Sequence, residues 1–186
     1  MAWRSLTAPA SELTFAIQGL GNVGSLIAND LSKQGARLLV ADPEPGRRQL
    51  SSRWGARTTS PEELLTSQAD ILVPAALGGI LTPQVVPALR CRAIVGPANN
   101  QLSDDSVADL LHARGITWAP DPVASAGGIV GSVAREINRL TEPEVEKQLT
   151  AIGNRLGIIL DESARSGVAP LGVAQRQVRK RLARRH

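Results

Sequence analysis

The 186-residue chain contains no tyrosine and one phenylalanine, and aromatics make up only 2% of it. Any core must therefore be aliphatic. Base-stacking platforms for single-stranded nucleic acid are also scarce, which argues against that class of partner. Cys91 is the only cysteine, so no internal disulfide can form and a cytoplasmic location is expected. No apolar run approaches the roughly 20 residues that a membrane-spanning helix needs. The opening MAWRSLTAPASE has no long apolar stretch, so no secretory leader is expected. With two histidines and one cysteine, no metal site is expected. Lysine is also rare: Lys33, Lys147 and Lys180 are the only three.

What is present suffices for one well-buried domain. Hydrophobic residues make up 42% of the chain, which opposes global disorder. The net charge is +4, and much of the excess lies in a tail holding Arg176, Arg179, Lys180, Arg181, Arg184 and Arg185. Cations gather favourably near a helix C-terminus, so this tail reads as a solvated helix end. A nucleic-acid site is not expected from it.

Short apolar runs alternate with helical patterns, the arrangement of a parallel sheet with crossover helices. Thr14 to Gln18 reads as a first strand. Asn22 to Gln34 reads as a helix with Val23, Leu26, Ile27 and Leu31 on one face and Gly35 as its stop. Strands follow at Arg37 to Ala41, Ile71 to Val73, Ala93 to Val95 and Ile116 to Trp118. Helices are expected at Gly46 to Trp54, from SPEELL at Ser60 to Leu65, at Thr82 to Leu89 and at Ser103 to Arg114. Ser60, Pro61 and Glu63 hold the N-cap, first-turn and capping-box places. After the Gly-rich SAGGIVGS, helical patterns run from about Val133 to Arg165 and from about Leu171 to Arg184. Pro143, Gly153 and Gly157 are candidate breaks in the first.

The first turn reads Gly19-Leu20-Gly21-Asn22-Val23-Gly24 between a strand and a helix. In such a turn the first glycine permits the bend, the second lets backbone approach a pyrophosphate, and the third lets helix and strand pack closely. The helix N-terminus supplies amides and a positive dipole end. The second strand ends in Asp42, at the spacing of a carboxylate that bonds the adenosine ribose hydroxyls. The pattern predicts an α/β protein with a Rossmann-type doubly wound, mainly parallel sheet and C-terminal helices. Its cofactor is expected to be NAD rather than NADP, because a carboxylate at Asp42 repels a 2′-phosphate. Arg47 and Arg48 lie close enough to meet such a phosphate, but a solvated helix face is the expected role. The dinucleotide-binding core is expected over 1–132, and 133–186 is expected to be a helical extension packing on it.

Three further blocks, VPAALGG at Val73 to Gly79, ANNQL at Ala98 to Leu102 and APDPVASAGG at Ala119 to Gly128, follow in order. With the glycine turn they resemble the cofactor domain of the glutamate/leucine/phenylalanine/valine dehydrogenase family, its leucine branch most closely. The likeness runs from about Thr14 to the basic tail. It implies that backbone at Ala75 and Ala76 lies against the nicotinamide-side ribose, and that Asn99 and Asn100 reach the nicotinamide and the substrate. It also implies a substrate pocket lined by Ser125, Gly128, Ile129 and Ser132. From the residues alone, Asn99 and Asn100 are equally compatible with turn chemistry, since Asn tolerates left-handed backbone.

The sequence departs from the family in three places. The domain that carries the family's catalytic Lys and Asp has no counterpart here, so no catalytic residue is assigned. Ser125 stands where the family usually has Asn, and Pro122 replaces an aromatic. The expected activity is an NAD(H)-dependent oxidoreductase of amino-acid-dehydrogenase type. It would transfer hydride to or from a C=N/CH–NH substrate, as a stand-alone or two-component enzyme. The alternative is a non-catalytic NAD-binding subunit that senses the cofactor or stabilises a partner. An amino-acid or imine substrate is expected, together with a homodimer mate or a separate substrate-domain subunit. The apolar stripe Val145, Leu149, Ile152, Leu156 and Ile159, joined by Leu171, Val173 and Val178, is the expected surface for that partner.

Overall fold

The computed structural model describes residues 8–184; the leader-free N-terminal reading and Arg185 of the basic tail concern residues outside that span. Six strands form one sheet: β1 (Thr14–Gln18), β2 (Arg37–Ala41), β3 (Arg57–Thr58), β4 (Ile71–Pro74), β5 (Ala93–Ile94) and β6 (Thr117–Trp118). Their order is β3-β2-β1-β4-β5-β6, and every pairing is parallel. This is the doubly wound order, reversing direction between β1 and β4. β3 was not anticipated. It has two residues, both exposed, too few to show any periodicity.

Alternation along β1 shows how the sheet acquires two buried faces. Phe15 and Ile17 join Leu38, Val40, Ile71 and Val73 beneath Leu20 and Ala28, so helix α1 (Asn22–Lys33) covers that side. Ala16 points the other way, with Leu72, Ile94 and Trp118, against Leu64, Val107, Ala108 and Leu111. Those come from α3 (Pro61–Thr66) and α4 (Ser106–Ala113). Ile17, Val40 and Ile94 are fully buried, and each such side chain contributes about 1.5–3 kcal/mol.

Several helices differ from expectation. In α1 the buried positions are Gly24 and Ala28, while Val23 and Leu26 are exposed; small residues let this helix sit close to the sheet. Gly46 to Trp54 is not one helix. A short α2 (Pro45–Arg48) passes into 3-10 geometry over Gln49–Trp54. Thr82 to Leu89 holds only a 3-10 turn at Val86–Ala88, because Pro87 lacks the N–H that a continuing helix requires. The helix read from Ser103 begins at Ser106. The Ser60–Glu63 capping box is present as expected.

After β6 every element among the described residues is helical. α5 (Asp121–Ala124) and α6 (Gly127–Ser132) lead into a π-helical turn, Val133–Ile137. α7 (Glu142–Ser166) then runs unbroken through Gly153 and Gly157. Pro143 starts this helix rather than breaking it, since its missing N–H falls in the first turn. Thr141 and Glu144 complete a capping box there. α8 (Pro170–Ala183) packs back on α7. Along the expected α7 stripe, Val145 and Ile159 are buried, and Leu149, Ile152 and Leu156 are half-buried. No helix among the described residues is long and apolar enough to cross a membrane.

Candidate functional site

The carboxyl ends of β1, β2, β4, β5 and β6 carry the glycine turn, Asp42, the ALGG loop, the ANN loop and the start of α5. In an open parallel sheet the crevice for ligands lies at these ends, at the point where strand order reverses. That point here is β1 beside β4.

The glycine turn is shaped by close approach. Gly19 has φ +97°, and a Cβ there would meet Ala76 Cβ at 2.6 Å and the Ala75 carbonyl carbon at 3.1 Å. A Cβ on Gly24 would fall on the Gly19 carbonyl. Gly21 is the N-cap of α1, and no side chain caps the helix. Its first amides thus stand over the crevice with the positive end of the helix dipole. Ala75 and Ala76 are held against this turn, as Ala75 N donates to Gln18 O at 2.8 Å.

Asp42 is 2% exposed. Leu20 N donates to its Oδ2 at 2.7 Å, and Glu44 N donates to its Oδ1 at 2.9 Å. The carboxylate therefore links the end of β2 to the glycine turn. Arg47 approaches Asp42 Oδ2 at 3.9 Å, and Arg48 donates to the Asp42 carbonyl at 2.9 Å. Both arginines lean on the Asp42 loop instead of forming a purely solvated face.

The ALGG and ANN loops are zipped together. Gly79 N donates to Asn100 O, Leu81 N to Gln101 O, and Ser103 N to Leu81 O. A Cβ on Gly78 would meet the carbonyls of Asn99 and Asn100 at 2.6 and 2.7 Å. Asn100 takes φ 52°, the left-handed backbone for which Asn is suited. Ser125 Oγ lies 2.8 Å from the Asn99 carboxamide and 2.7 Å from Asp121 O. The structure thus joins Asn99 and Ser125 directly. Gly128, Ile129 and Ser132 are exposed along α6, at helical spacing from Ser125.

Four residues that sequence reasoning missed hold the site in shape. Gln101 is fully buried. Its Nε2 donates to Gly96 O and Ala98 O, both at 2.9 Å, and its Oε1 accepts from Trp118 Nε1 at 3.1 Å. Asp121, also buried, accepts from Gln101 N at 2.8 Å. Gln18 closes β1 with a buried Oε1 that has no hydrogen-bond partner. The visible signal was limited to Gln18, a polar residue at the end of the apolar TFAIQ run, and Asp121 between two prolines. These features fit a dinucleotide: open space beside Gly21, uncapped helix amides, a fixed carboxylate and an unpartnered buried acceptor. No group of three or more His, Cys, Asp and Glu among the described residues could hold a metal ion.

A family model described as glutamate/leucine/phenylalanine/valine dehydrogenase matches residues 47–167. Leucine dehydrogenase of Bacillus cereus is 34% identical over 169 residues, covering 90% of this chain and 46% of the relative. L-tryptophan dehydrogenase of Nostoc punctiforme is 35% identical over 169 residues, covering 90% of this chain and 48% of that one. The crystal structure of the Nostoc punctiforme enzyme superposes with a TM-score of 0.92 at 32% identity, over 97% of this chain and 54% of that chain. Hetero-hexameric glutamate dehydrogenase from Thermus thermophilus (Leu bound form) shares the fold, with a TM-score of 0.69 at 24% identity over 93% of this chain and 47% of that one. The chain spans about half the length of the relatives it matches.

Proposed function

The chain belongs to the glutamate/leucine/phenylalanine/valine dehydrogenase family, and on that premise we propose that it binds NAD(H) across the β1–β4 crevice and holds the nicotinamide end for hydride transfer at a C=N/CH–NH group. Members of this family are NAD-dependent. One observation carries the reading: the glycine turn with Asp42 and the loops bearing Ala75, Ala76, Asn99, Asn100 and Ser125 form one continuous hydrogen-bonded rim. A module that gripped only the ADP-ribose end would need the first of these and not the second.

In this reading Gly19, Gly21, Asn22, Val23 and Gly24 receive the pyrophosphate, and Asp42 receives the ribose hydroxyls. Ala75 and Ala76 line the nicotinamide-side ribose, and Asn99 and Asn100 orient the nicotinamide and the reacting carbon. Ser125, Gly128, Ile129 and Ser132 form the substrate wall. Residues 1–132 serve as the cofactor core and 133–186 as its helical extension. Bound NAD(H) supplies or accepts the hydride. The protein's share is alignment of the two reacting carbons.

A second reading, a non-catalytic NAD-binding subunit, is favoured by one feature. Lys33, Lys147 and Lys180 all lie exposed on α1, α7 and α8, so no lysine stands at the site to serve as acid or base. Calorimetric titration tests the shared premise: NADH should bind more tightly than NADPH, and equal or tighter NADPH binding overturns the preference. Assays separate the two readings. The chain alone should form no NADH from leucine, valine or phenylalanine, yet reduce a preformed cyclic imine. Failure of the second reaction, with cofactor bound, favours the non-catalytic subunit.

A further inference from the structure

The Ser125 hydroxyl sits between two groups at distances that one hydrogen cannot serve. Oγ is 2.7 Å from Asp121 O and 2.8 Å from the Asn99 carboxamide atom placed as Oδ1. A hydroxyl has one hydrogen and two lone pairs. Two oxygens at such separations each need a hydrogen on the line of contact; a single hydrogen shared between two acceptors gives two long bonds instead. Asp121 O is a backbone carbonyl and has no hydrogen to give. The hydroxyl hydrogen must therefore go to Asp121 O, the ordinary back-bond of a serine to a carbonyl four residues earlier. A lone pair on Oγ then faces Asn99, and the Asn99 atom that meets it must be a donor. The oxygen and nitrogen of a carboxamide exchange without moving any other heavy atom. Exchanging them satisfies both contacts.

We propose that Ser125 is a positioning residue that spends the Asn99 nitrogen on its own hydroxyl and so turns Asn99 Oδ1 outward as a hydrogen-bond acceptor. The site would then receive a ligand N–H at this point and disfavour a ligand carbonyl there. This rests on the cofactor reading above for the identity of the ligand, but not for the orientation of the amide. The exposed position of Asn99 leaves its outer atom accessible. The neighbouring backbone is pinned by Asn100 O to Gly79 N and by Gln101 to Asp121, so the side chain turns on a fixed base. Two ligand groups carry the required N–H: the carboxamide of the nicotinamide ring, and the amino or imino nitrogen of a substrate.

The test has two independent parts. In the side-chain amide NMR spectrum of the free, full chain, one Asn99 N–H should be shifted downfield and slowed in exchange with water. Ser125→Ala should return it to the position of a free amide, and Ser125→Thr should restore the shift. Asn99 protons that exchange freely in the wild type and ignore Ser125→Ala overturn the proposal. The second part reads the ligand. If the nicotinamide is the donor, NAD+ should bind about two- to tenfold more tightly than 3-acetylpyridine adenine dinucleotide, which has a methyl in place of the amide nitrogen. Ser125→Ala should erase that ratio. If the substrate nitrogen is the donor, the two dinucleotides should bind alike. The NAD+-loaded protein should then prefer L-leucine to its 2-oxo acid, again only while Ser125 is present. Loss of neither preference in Ser125→Ala overturns the proposal. If neither dinucleotide binds, the cofactor reading fails, and the NMR result still decides the orientation of Asn99.

Discussion

Asp42 carries structural weight as well as the proposed ribose contact, because its two oxygens accept from Leu20 N and Glu44 N in a buried setting. Asp42→Ala strands the buried Leu20 amide as well as removing the ligand contact. Stability should fall by about 1–3 kcal/mol, and NADH binding should weaken by a similar amount. Chemical denaturation and calorimetry measure the two separately; a variant of unchanged stability would show that the amides find water instead. Gly19 is constrained by both conformation and space. Gly19→Ala should destabilise the fold and abolish binding, since its Cβ would press on Ala76 from a left-handed backbone. Cys91 lies at the other end of the sheet, just before β5. Burial pushes its thiol up to about 11, so almost no thiolate exists at neutral pH. A thiol reagent should label the folded protein very slowly at about pH 8 and label one equivalent promptly after denaturation. Rapid labelling of the native state would mean that the β4–β5 connection opens readily.

At the scale of elements, the start of α7 shows how a cap couples to pH. The Thr141 hydroxyl and backbone N–H both donate to Glu144, and together they hold its carboxyl below the usual carboxylate range. The folded state thus binds the Glu144 proton less readily than the unfolded chain does. The stabilisation is fully present above the ordinary glutamate range and is lost as pH falls through the lowered folded value. Melting curves of Glu144→Gln should fall below wild type at neutral pH and converge with it in acid. A difference that persists unchanged at low pH would assign the effect to packing. Gln101 ties the loop after β5 to β6 and α5. Gln101→Leu keeps the volume but leaves Gly96 O, Ala98 O and Trp118 Nε1 unpaired in the interior, at about 1–3 kcal/mol for each such group. Denaturant unfolding should register a loss of several such increments; a loss below that of one group would show that the loop repacks around the leucine.

Among the described residues, several large apolar side chains stand in solvent. Val23, Leu26 and Leu77 are exposed on the elements around the crevice, and Ile129 and Ile137 along α6 and the π turn. Ile158, Val178 and Leu182 are exposed on α7 and α8. Contiguous apolar patches mark interfaces, and two-fold dimers are the commonest closed assembly. Light scattering at micromolar concentration should therefore give about twice the chain's mass, or reveal a requirement for a second polypeptide. A clean, soluble monomer overturns this. Part of the expected interface is already spent internally, because Val145, Ile159 and Val173 are buried within the chain. On this prediction the surface left for a partner is the crevice rim and the outer faces of α6 to α8.

Local chemistry alone determined the framework. Alternation in TFAIQ and RLLVA, the glycine turn, Asp42 and the Ser60–Glu63 box each act over a few residues, and each was legible without coordinates. Where pattern and covalent limits competed, the pattern misled. Pro87 cut the helix expected at Thr82 to Leu89, while Pro143 began one, because the first turn of a helix does not use the missing N–H. Only the tertiary structure could decide which polar groups would be enclosed. Gln101 meets Trp118 and Asp121 across 17 and 20 positions of sequence, and Ser125 meets Asn99 across 26. Nothing local distinguishes an exposed glutamine from one enclosed between its own loop and a segment about 20 positions on. A buried polar atom needs a partner at about 2.9 Å, and only the packing of distant segments decides whether one is there.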